Sequence, residues 1–163
     1  AERGALQKAK GNANSLALDI HAQWAGFESN GQWRYTPPTQ VLAALDQAIL
    51  EHKLEGGVEA RGRRYARNCE ILIEGMRGLG FQTYLSDNLQ APIIVTFHRP
   101  PHTNFEFNEF YGRLKDKGFA IYPGKLTKAD SFRMGCIGHL FEDDMKAAVE
   151  AVGVVLAEME IIL

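Results

Sequence analysis

The spacing of apolar residues along the chain predicts a series of amphipathic helices. The first covers about residues 13–28, where Leu16, Ile20, Trp24 and Phe27 follow one another at steps of three or four. Further helices are predicted from the "TPPT" stretch to about residue 55 and over about residues 57–78, 105–118 and 141–160. Gly80 and Gly118 follow two of these stripes in the position where glycine commonly ends a helix.

Between these later helices the pattern changes to short runs rich in β-branched and aromatic residues, which are typical of strands. Such runs occupy residues 81–85, 91–98, 119–124 and 131–137. From residue 57 onward the predicted order is therefore α-β-β-α-β-β-α. Segregated helices beside a small, mostly antiparallel sheet predict an α+β sandwich.

The segment before this sandwich is predicted to be a separate helical arm. We accordingly divide the chain into a helical arm over residues 1–56 and an α/β domain over residues 57–163. The chain of 163 residues is long enough for one compact domain, and it opens "AERGALQKAKGN" without an initiator methionine. We therefore expect it to be a piece of a longer protein.

Composition and charge exclude several classes of partner. Hydrophobic residues make up 45% of the chain, charged residues 23%, and the net charge is −2 with no basic block. A nucleic-acid or membrane-surface role therefore has no electrostatic support, and no apolar run is long enough to span a bilayer. Cys69 and Cys136 are far apart in sequence, which favours reduced, buried thiols in a cytoplasmic protein.

Arg133 is the most unusual residue of the predicted strands, because it lies within the apolar stretch "SFRMGCI". Burial of a guanidinium without a partner is costly. One interpretation is a salt bridge to a nearby acid such as Asp130. The other is a two-pronged clamp on a carboxylate or phosphonate, whose oxygens match the planar guanidinium.

A second candidate anion site is "RYTPPTQ" at the start of the second helix. Helix N-termini attract anions, but the two prolines remove two amide donors. The hydroxyls of Thr36 and Thr39 and the amides of Thr39 and Gln40 remain as donors. The simpler interpretation is that Thr36 only caps the helix.

The other reactive side chains form no complete catalytic set. Lys125 follows a Pro-Gly turn, has Lys128 nearby, and is expected to be a solvated turn residue rather than a Schiff-base lysine. His98 and His102 flank two prolines, which forbid the helical spacing that a histidine pair would use for a metal, so no metal site is expected.

Four stretches carry a resemblance to a known family: "GNANSLALDIHAQW", "WRYTPPTQVLAALDQAI", "GGVEARGRRYARN" and "GFAIYPGKLTKADSFRMGCIGHL". They resemble the C-terminal part of class-V, fold type I aminotransferases, which depend on pyridoxal 5'-phosphate. The pattern "YPGK…FRxGxIG" resembles the phosphonate-using members, which transfer the amino group of 2-aminoethylphosphonate to pyruvate and yield phosphonoacetaldehyde and L-alanine. The resemblance implies a small C-terminal domain of that fold, preceded by the helical arm.

The resemblance also implies roles for individual residues. Arg133 corresponds to the arginine that binds the acidic group of the substrate. Thr36 corresponds to a threonine that reaches across a homodimer interface to the phosphate of the partner's cofactor, with Tyr35 and Thr39 as alternatives for this contact. The family's cofactor-bearing lysine lies upstream of "GNANSLALD", so the isolated chain is expected to be inactive. One alternative function is a ligand-sensing α+β module that binds a small amino or keto acid. Another is a purely structural dimerisation domain.

Overall fold

The structure is a computed structural model and describes residues 2–124 and 129–163. The chain divides into two compact units, Ala1–Glu51 and His52–Leu163, which we call the N-terminal unit and the C-terminal unit. The sequence-based boundary at residue 56 stays a prediction. In the described residues no helix is long and apolar enough to cross a membrane.

The N-terminal unit is helical. It contains α1 (Arg3–Lys8), α2 (Ile20–Asn30) and most of α3 (Thr39–Leu54). None of the described residues in these three helices is buried, and α1 and α2 are joined by the ion pair of Arg3 with Glu28 at 2.7 Å.

The first predicted helix is partly wrong, because α2 begins at Ile20 rather than near residue 13. The carboxylate of Asp19 accepts a hydrogen bond of 2.8 Å from the amide of Ala22, which caps the helix there. Gly31 adopts a left-handed conformation with φ of 71° and ends the helix, which suits a residue without a Cβ. The short helix α1 was not predicted.

The C-terminal unit is an α+β sandwich. Its elements are α4 (Gly57–Gly78), β1 (Ile94–His98), α5 (Phe107–Asp116), β2 (Tyr122–Pro123), β3 (Ser131–Gly135) and α6 (Glu142–Glu158). A single 3-10 turn, Asp87–Leu89, precedes β1. All three long helices agree with the predicted segments to within two residues at each end.

The three strands form an antiparallel sheet in the order β1-β3-β2. Alternation along the strands gives this sheet one buried face and a second, mostly half-buried face, which we call the open face. The buried face carries Val95, Phe97, Phe132 and Met134, which join buried side chains of α4, α5 and α6 in one core. The helices therefore cover only one side of the sheet.

Aromatic rings fill the centre of this core. The ring of Phe132 lies 5.5 Å from that of Phe81, 5.6 Å from that of Phe97 and 5.5 Å from that of Phe110. Edge-to-face and offset contacts of this kind stabilise a core beyond the burial of their area. Phe132 thereby fixes β3, and with it the residue that follows, Arg133.

The predicted strand over residues 81–85 is reduced to one isolated bridge, between Thr83 and Phe97. The segment still runs beside β1, because the amide of Tyr84 donates to the carbonyl of Thr96 at 2.8 Å. The guanidinium of Arg77 contacts Asp87 at 2.6 Å and Thr83 at 2.8 Å. These contacts tie the segment to the end of α4, so it does not continue as a strand.

Candidate functional site

The open face of the sheet carries one row of three side chains across its strands. Arg133 on β3 is paired in register with Thr96 on β1 and with Tyr122 on β2. Paired residues of adjacent strands point to the same face. The guanidinium is therefore flanked by a hydroxyl-bearing side chain on one side and an aromatic side chain on the other.

Arg133 makes only weak contacts within the C-terminal unit. Its Nε donates to the carbonyl of Pro123 at 3.4 Å, and its guanidinium lies 5.9 Å from the centre of the Tyr122 ring. It forms no ion pair with Asp130, so the salt-bridge interpretation is wrong. Within the described parts of the chain, no partner takes up the two terminal guanidinium nitrogens. The side chain thus presents a two-pronged donor at the open face.

Two side chains of α4 hold the segment that follows β3. Asn68 is fully buried, and its side-chain amide donates to the carbonyls of Cys136 at 3.2 Å and Leu140 at 2.9 Å. Arg64 donates to the carbonyls of Gly138 and Leu140, both at 2.7 Å. The chain leaving the Arg133 strand is therefore attached to a long helix rather than left as a free loop.

An ion pair with Glu55 holds the side chain of Arg64 in place. Glu55 accepts hydrogen bonds of 2.7 Å from Arg64 and from Arg61. These bonds, first that of Arg64 and then that of Arg61, lower the pKa of Glu55 to about 2. The guanidinium of Arg64 also lies over the rings of Tyr65 and Phe141, at 5.0 Å and 4.9 Å. Arg64 is consequently an ordered anchor.

Cys69 and Cys136 are both free and buried, as the sequence predicted. Burial raises the pKa of both thiols, that of Cys136 to about 12. A thiol reacts as its thiolate, so neither side chain is suited to act as a nucleophile at neutral pH.

The second predicted site lies in the N-terminal unit. Tyr35 and Thr36 are exposed, and the guanidinium of Arg34 lies 5.3 Å from the centre of the Tyr35 ring. The helix α3 begins at Thr39, and the hydroxyl of Thr36 makes no hydrogen bond within the described residues, so it does not cap that helix. The amide of Thr39 donates a hydrogen bond of 2.9 Å to the carbonyl of Pro37.

Other sequence candidates are not assembled into a site. Across residues 2–124 and 129–163, no group of three or more histidine, cysteine or acidic side chains is arranged to hold a metal ion. The ring of His98 packs against that of Tyr84 at 5.4 Å, and Nδ1 of His102 accepts from the amide of Asn104 at 3.2 Å. Lys125 and Lys128 lie outside the described residues.

Sequence reasoning missed the anchors Arg64 and Asn68. The available signal was the density of arginines in "ARGRRYAR" on a helix with a clean apolar stripe. An arginine cluster is usually a solvated face, so this signal does not by itself indicate which arginine turns inward.

Comparison with proteins of known sequence shows which proteins the chain is similar to. No model of a known protein family matches the chain. A 2-aminoethylphosphonate–pyruvate transaminase of Pseudomonas putida strain W619 is 53% identical over 162 residues, and one of Pseudomonas fluorescens is 51% identical. The chain is similar to 2-aminoethylphosphonate–pyruvate transaminases over 99% of its length. The predicted resemblance is confirmed, and the chain spans about 44% of the length of these transaminases, in their C-terminal part.

Solved structures agree on the fold. A pyridoxamine–pyruvate aminotransferase from Mesorhizobium loti matches with a TM-score of 0.80 at 19% identity, over 98% of this chain and 42% of that one. An alanine–glyoxylate aminotransferase from Nostoc matches with a TM-score of 0.76 at 18% identity, over 95% of this chain and 42% of that one. The predicted fold class is confirmed, because the chain has the same fold as the matching part of these aminotransferases. The roles of Arg133, Thr36 and Tyr35 stay predictions.

Proposed function

We propose that this chain binds the acidic group of the substrate in an aminotransferase that transfers the amino group of 2-aminoethylphosphonate to pyruvate. The observation that carries the proposal is the half-buried guanidinium of Arg133, whose terminal nitrogens have no hydrogen-bond partner among the described residues. The 53% identity with a 2-aminoethylphosphonate–pyruvate transaminase supports the choice of substrates.

Both proposed substrates end in an anionic group that suits this guanidinium. The phosphonate of the amino donor and the carboxylate of the acceptor each offer two oxygens to a planar fork. One side chain can therefore serve both halves of the reaction in turn. Because Arg133 lies on a strand packed by Phe132 and anchored beyond its end by Asn68, it orients the substrate from a fixed base.

The residues just before α3 offer hydroxyl groups that can donate hydrogen bonds to a cofactor phosphate. The hydroxyl of Thr36 is exposed and without a partner in the described residues, and Tyr35 presents its phenol beside it. Thr39 is a weaker choice, since its amide and hydroxyl contact Pro37 and Gln40. Pyridoxal phosphate, when bound, supplies the electron sink for amino-group transfer.

We further propose that the complete enzyme is a cytoplasmic homodimer. An exposed apolar row along α3 includes Val41, Leu45 and Ile49. Such a row supports the proposal that α3 packs against another protein surface in the complete enzyme. The two reduced thiols support a reducing compartment. The isolated chain is expected not to transaminate, because the resemblance places the cofactor-bearing lysine upstream of residues 11–19.

A chimaera tests the proposal directly. The matched 162 residues of the Pseudomonas putida W619 relative are replaced by this chain, and alanine formation from 2-aminoethylphosphonate and pyruvate is measured. We expect the chimaera to be active and Arg133→Lys to lower kcat/KM by about tenfold or more, since lysine loses the two-pronged geometry.

Arg113→Lys is the matched control, because Arg113 pairs only with surface carboxylates of Glu109 and Glu158. Its activity is expected to equal that of the parent chimaera. Absorbance of the bound cofactor reports whether each variant is folded and loaded. A loaded Arg133→Lys chimaera with unchanged kcat/KM for both substrates would refute the assigned role.

A further inference from the structure

The C-terminal unit contains a cavity of about 320 Å³ beyond the end of β1, apart from the row that includes Arg133. Its polar lining comes from Gln82, His98, Arg99 and His102, and the rest is Phe81, two prolines and aliphatic side chains. A cavity of this volume is at the small end of the range for ligand pockets. No aspartate or glutamate side chain lines it.

Arg99 is the charged residue of this lining. Its guanidinium stacks on the ring of Phe107, 4.7 Å from the ring centre, which holds the side chain in place. Its Nε is buried and has no hydrogen-bond partner in the described structure. A buried donor of a charged group without a partner is costly. Because the buried Nε is out of reach of a ligand in the cavity, an anion there would be bound by the terminal nitrogens of the same guanidinium.

We propose that this cavity binds a small organic carboxylate with an apolar body. The guanidinium of Arg99 receives the carboxylate, while Phe81 and the prolines contact the apolar part. Two histidines at the rim, His98 and His102, supply further nitrogens for the anion. Arg133 does not line the cavity, so this site is distinct from the proposed substrate clamp.

Glu106 is an acidic side chain close enough to Arg99 to be affected by its charge. However, its carboxylate already accepts hydrogen bonds from other groups. Its carboxylate accepts from the amide of Glu109 at 2.7 Å and from the side chain of Asn108 at 3.1 Å, in its role as the cap of α5. No ion pair within 4.0 Å joins Arg99 to Glu106. The arginine consequently keeps its capacity for an external anion.

The test uses the ¹⁵N-labelled 163-residue chain, titrated with benzoate at constant pH and ionic strength. We expect saturable amide shifts at Gln82 and His102 with a dissociation constant in the millimolar range, as for other ligands of this size. Benzamide, which has the same shape without the charge, is expected to bind about tenfold more weakly or worse. Inorganic phosphate, which lacks the apolar body, is expected to behave like benzamide.

Two variants and two controls locate the binding. Arg99→Gln and Gln82→Glu are each expected to weaken benzoate binding about tenfold or more, one by removing the cation and the other by adding a repelling carboxylate at an exposed position. Arg63→Gln and Arg113→Gln remove the same charge at positions that do not line the cavity and are expected to leave binding unchanged. Equal benzoate affinity in the parent, Arg99→Gln and Gln82→Glu chains would overturn the proposal, as would the absence of saturable shifts in the parent.

Discussion

The side-chain amide of Asn68 and the backbone carbonyl of Cys136 are joined by a hydrogen bond of 3.2 Å between two buried groups. The same amide also donates to Leu140, at 2.9 Å. Asn68 lies on α4, whereas Cys136 follows directly on the strand that carries Arg133. This contact therefore defines where that strand ends relative to the helix beneath it.

Replacement of Asn68 tests how much this contact stabilises the fold. Asn68→Ala is expected to lower the free energy of unfolding by about 1–3 kcal/mol, because the buried carbonyl of Cys136 loses its side-chain donor, while that of Leu140 keeps only the donor of Arg64. Urea denaturation followed by circular dichroism measures the change. Asn108→Ala, which removes an exposed amide bound to Glu106, is the control and should change stability by less than about 0.5 kcal/mol. A loss no larger than that of the control would mean that water replaces the Asn68 contacts.

Two glycines of α4 are expected to respond to alanine in opposite directions. A Cβ at Gly75 would lie 2.7 Å and 2.8 Å from the two methyl groups of Val149 on α6, so Gly75→Ala should destabilise the chain by about 1–3 kcal/mol. A Cβ at Gly62 would meet nothing within 4 Å, so Gly62→Ala should stabilise it by about 0.4–1 kcal/mol. Thermal and urea unfolding measure both. A stabilising Gly75→Ala would show that the helices can separate without cost.

Acid is expected to weaken the link between Glu55 and Arg64. The pKa of Glu55 is about 2 in the folded chain, below the ordinary value of about 4.3 that applies when it is unfolded. A depressed folded pKa contributes stability that is present above pH 4.3 and is lost as the pH falls towards 2. The difference in unfolding free energy between the parent and Glu55→Gln should therefore narrow over this range.

Urea titrations at pH 6, 4 and 2.5 measure this narrowing for Glu55→Gln. Glu74→Gln is the control, because Glu74 lies on the same helix and forms no ion pair with a described residue. Its difference from the parent at each pH is the baseline with which that of Glu55→Gln is compared. A difference for Glu55→Gln that stays constant relative to this baseline would contradict the assigned hydrogen bonds.

The two thiols are expected to be unreactive in the folded chain. With a pKa of about 12, the Cys136 thiolate at pH 8 is roughly a thousandfold less abundant than that of an ordinary cysteine, and burial also blocks access. Iodoacetamide labelling followed by mass spectrometry should be slow in buffer and fast in urea. Ser29→Cys, an exposed position on α2, provides a reactive thiol in the same folded sample. Labelling of Cys136 at the rate of Ser29→Cys would contradict the buried assignment.

The sequence predicted best those helices whose apolar stripes face a core. For α4 and α6 the stripe corresponds to buried residues such as Leu72, Met76, Val152 and Val155, so periodicity and burial have the same cause. The predicted start of the first helix was wrong. Leu16 fits the helical spacing, but it lies before α2, is 73% exposed and is not part of the core.

The sequence indicated a candidate site residue only where a side chain differed in polarity from its neighbours. Arg133 was visible because a guanidinium interrupts an apolar strand. Arg64 and Asn68 were not, because each depends on partners far away in sequence, such as Leu140. The strand over residues 81–85 was overestimated, since the ion pair of Arg77 with Asp87 competes with pairing beyond Thr83.

The attachment of the strand end to α4 has a mechanical consequence. Asn68 and Arg64 grip the chain just past Gly135, and Gly75 lets the same helix lie closely against α6. A tilt of α4 would therefore also move β3 and the guanidinium of Arg133. The position of Arg133, the proposed anion clamp, is therefore coupled to the position of α4.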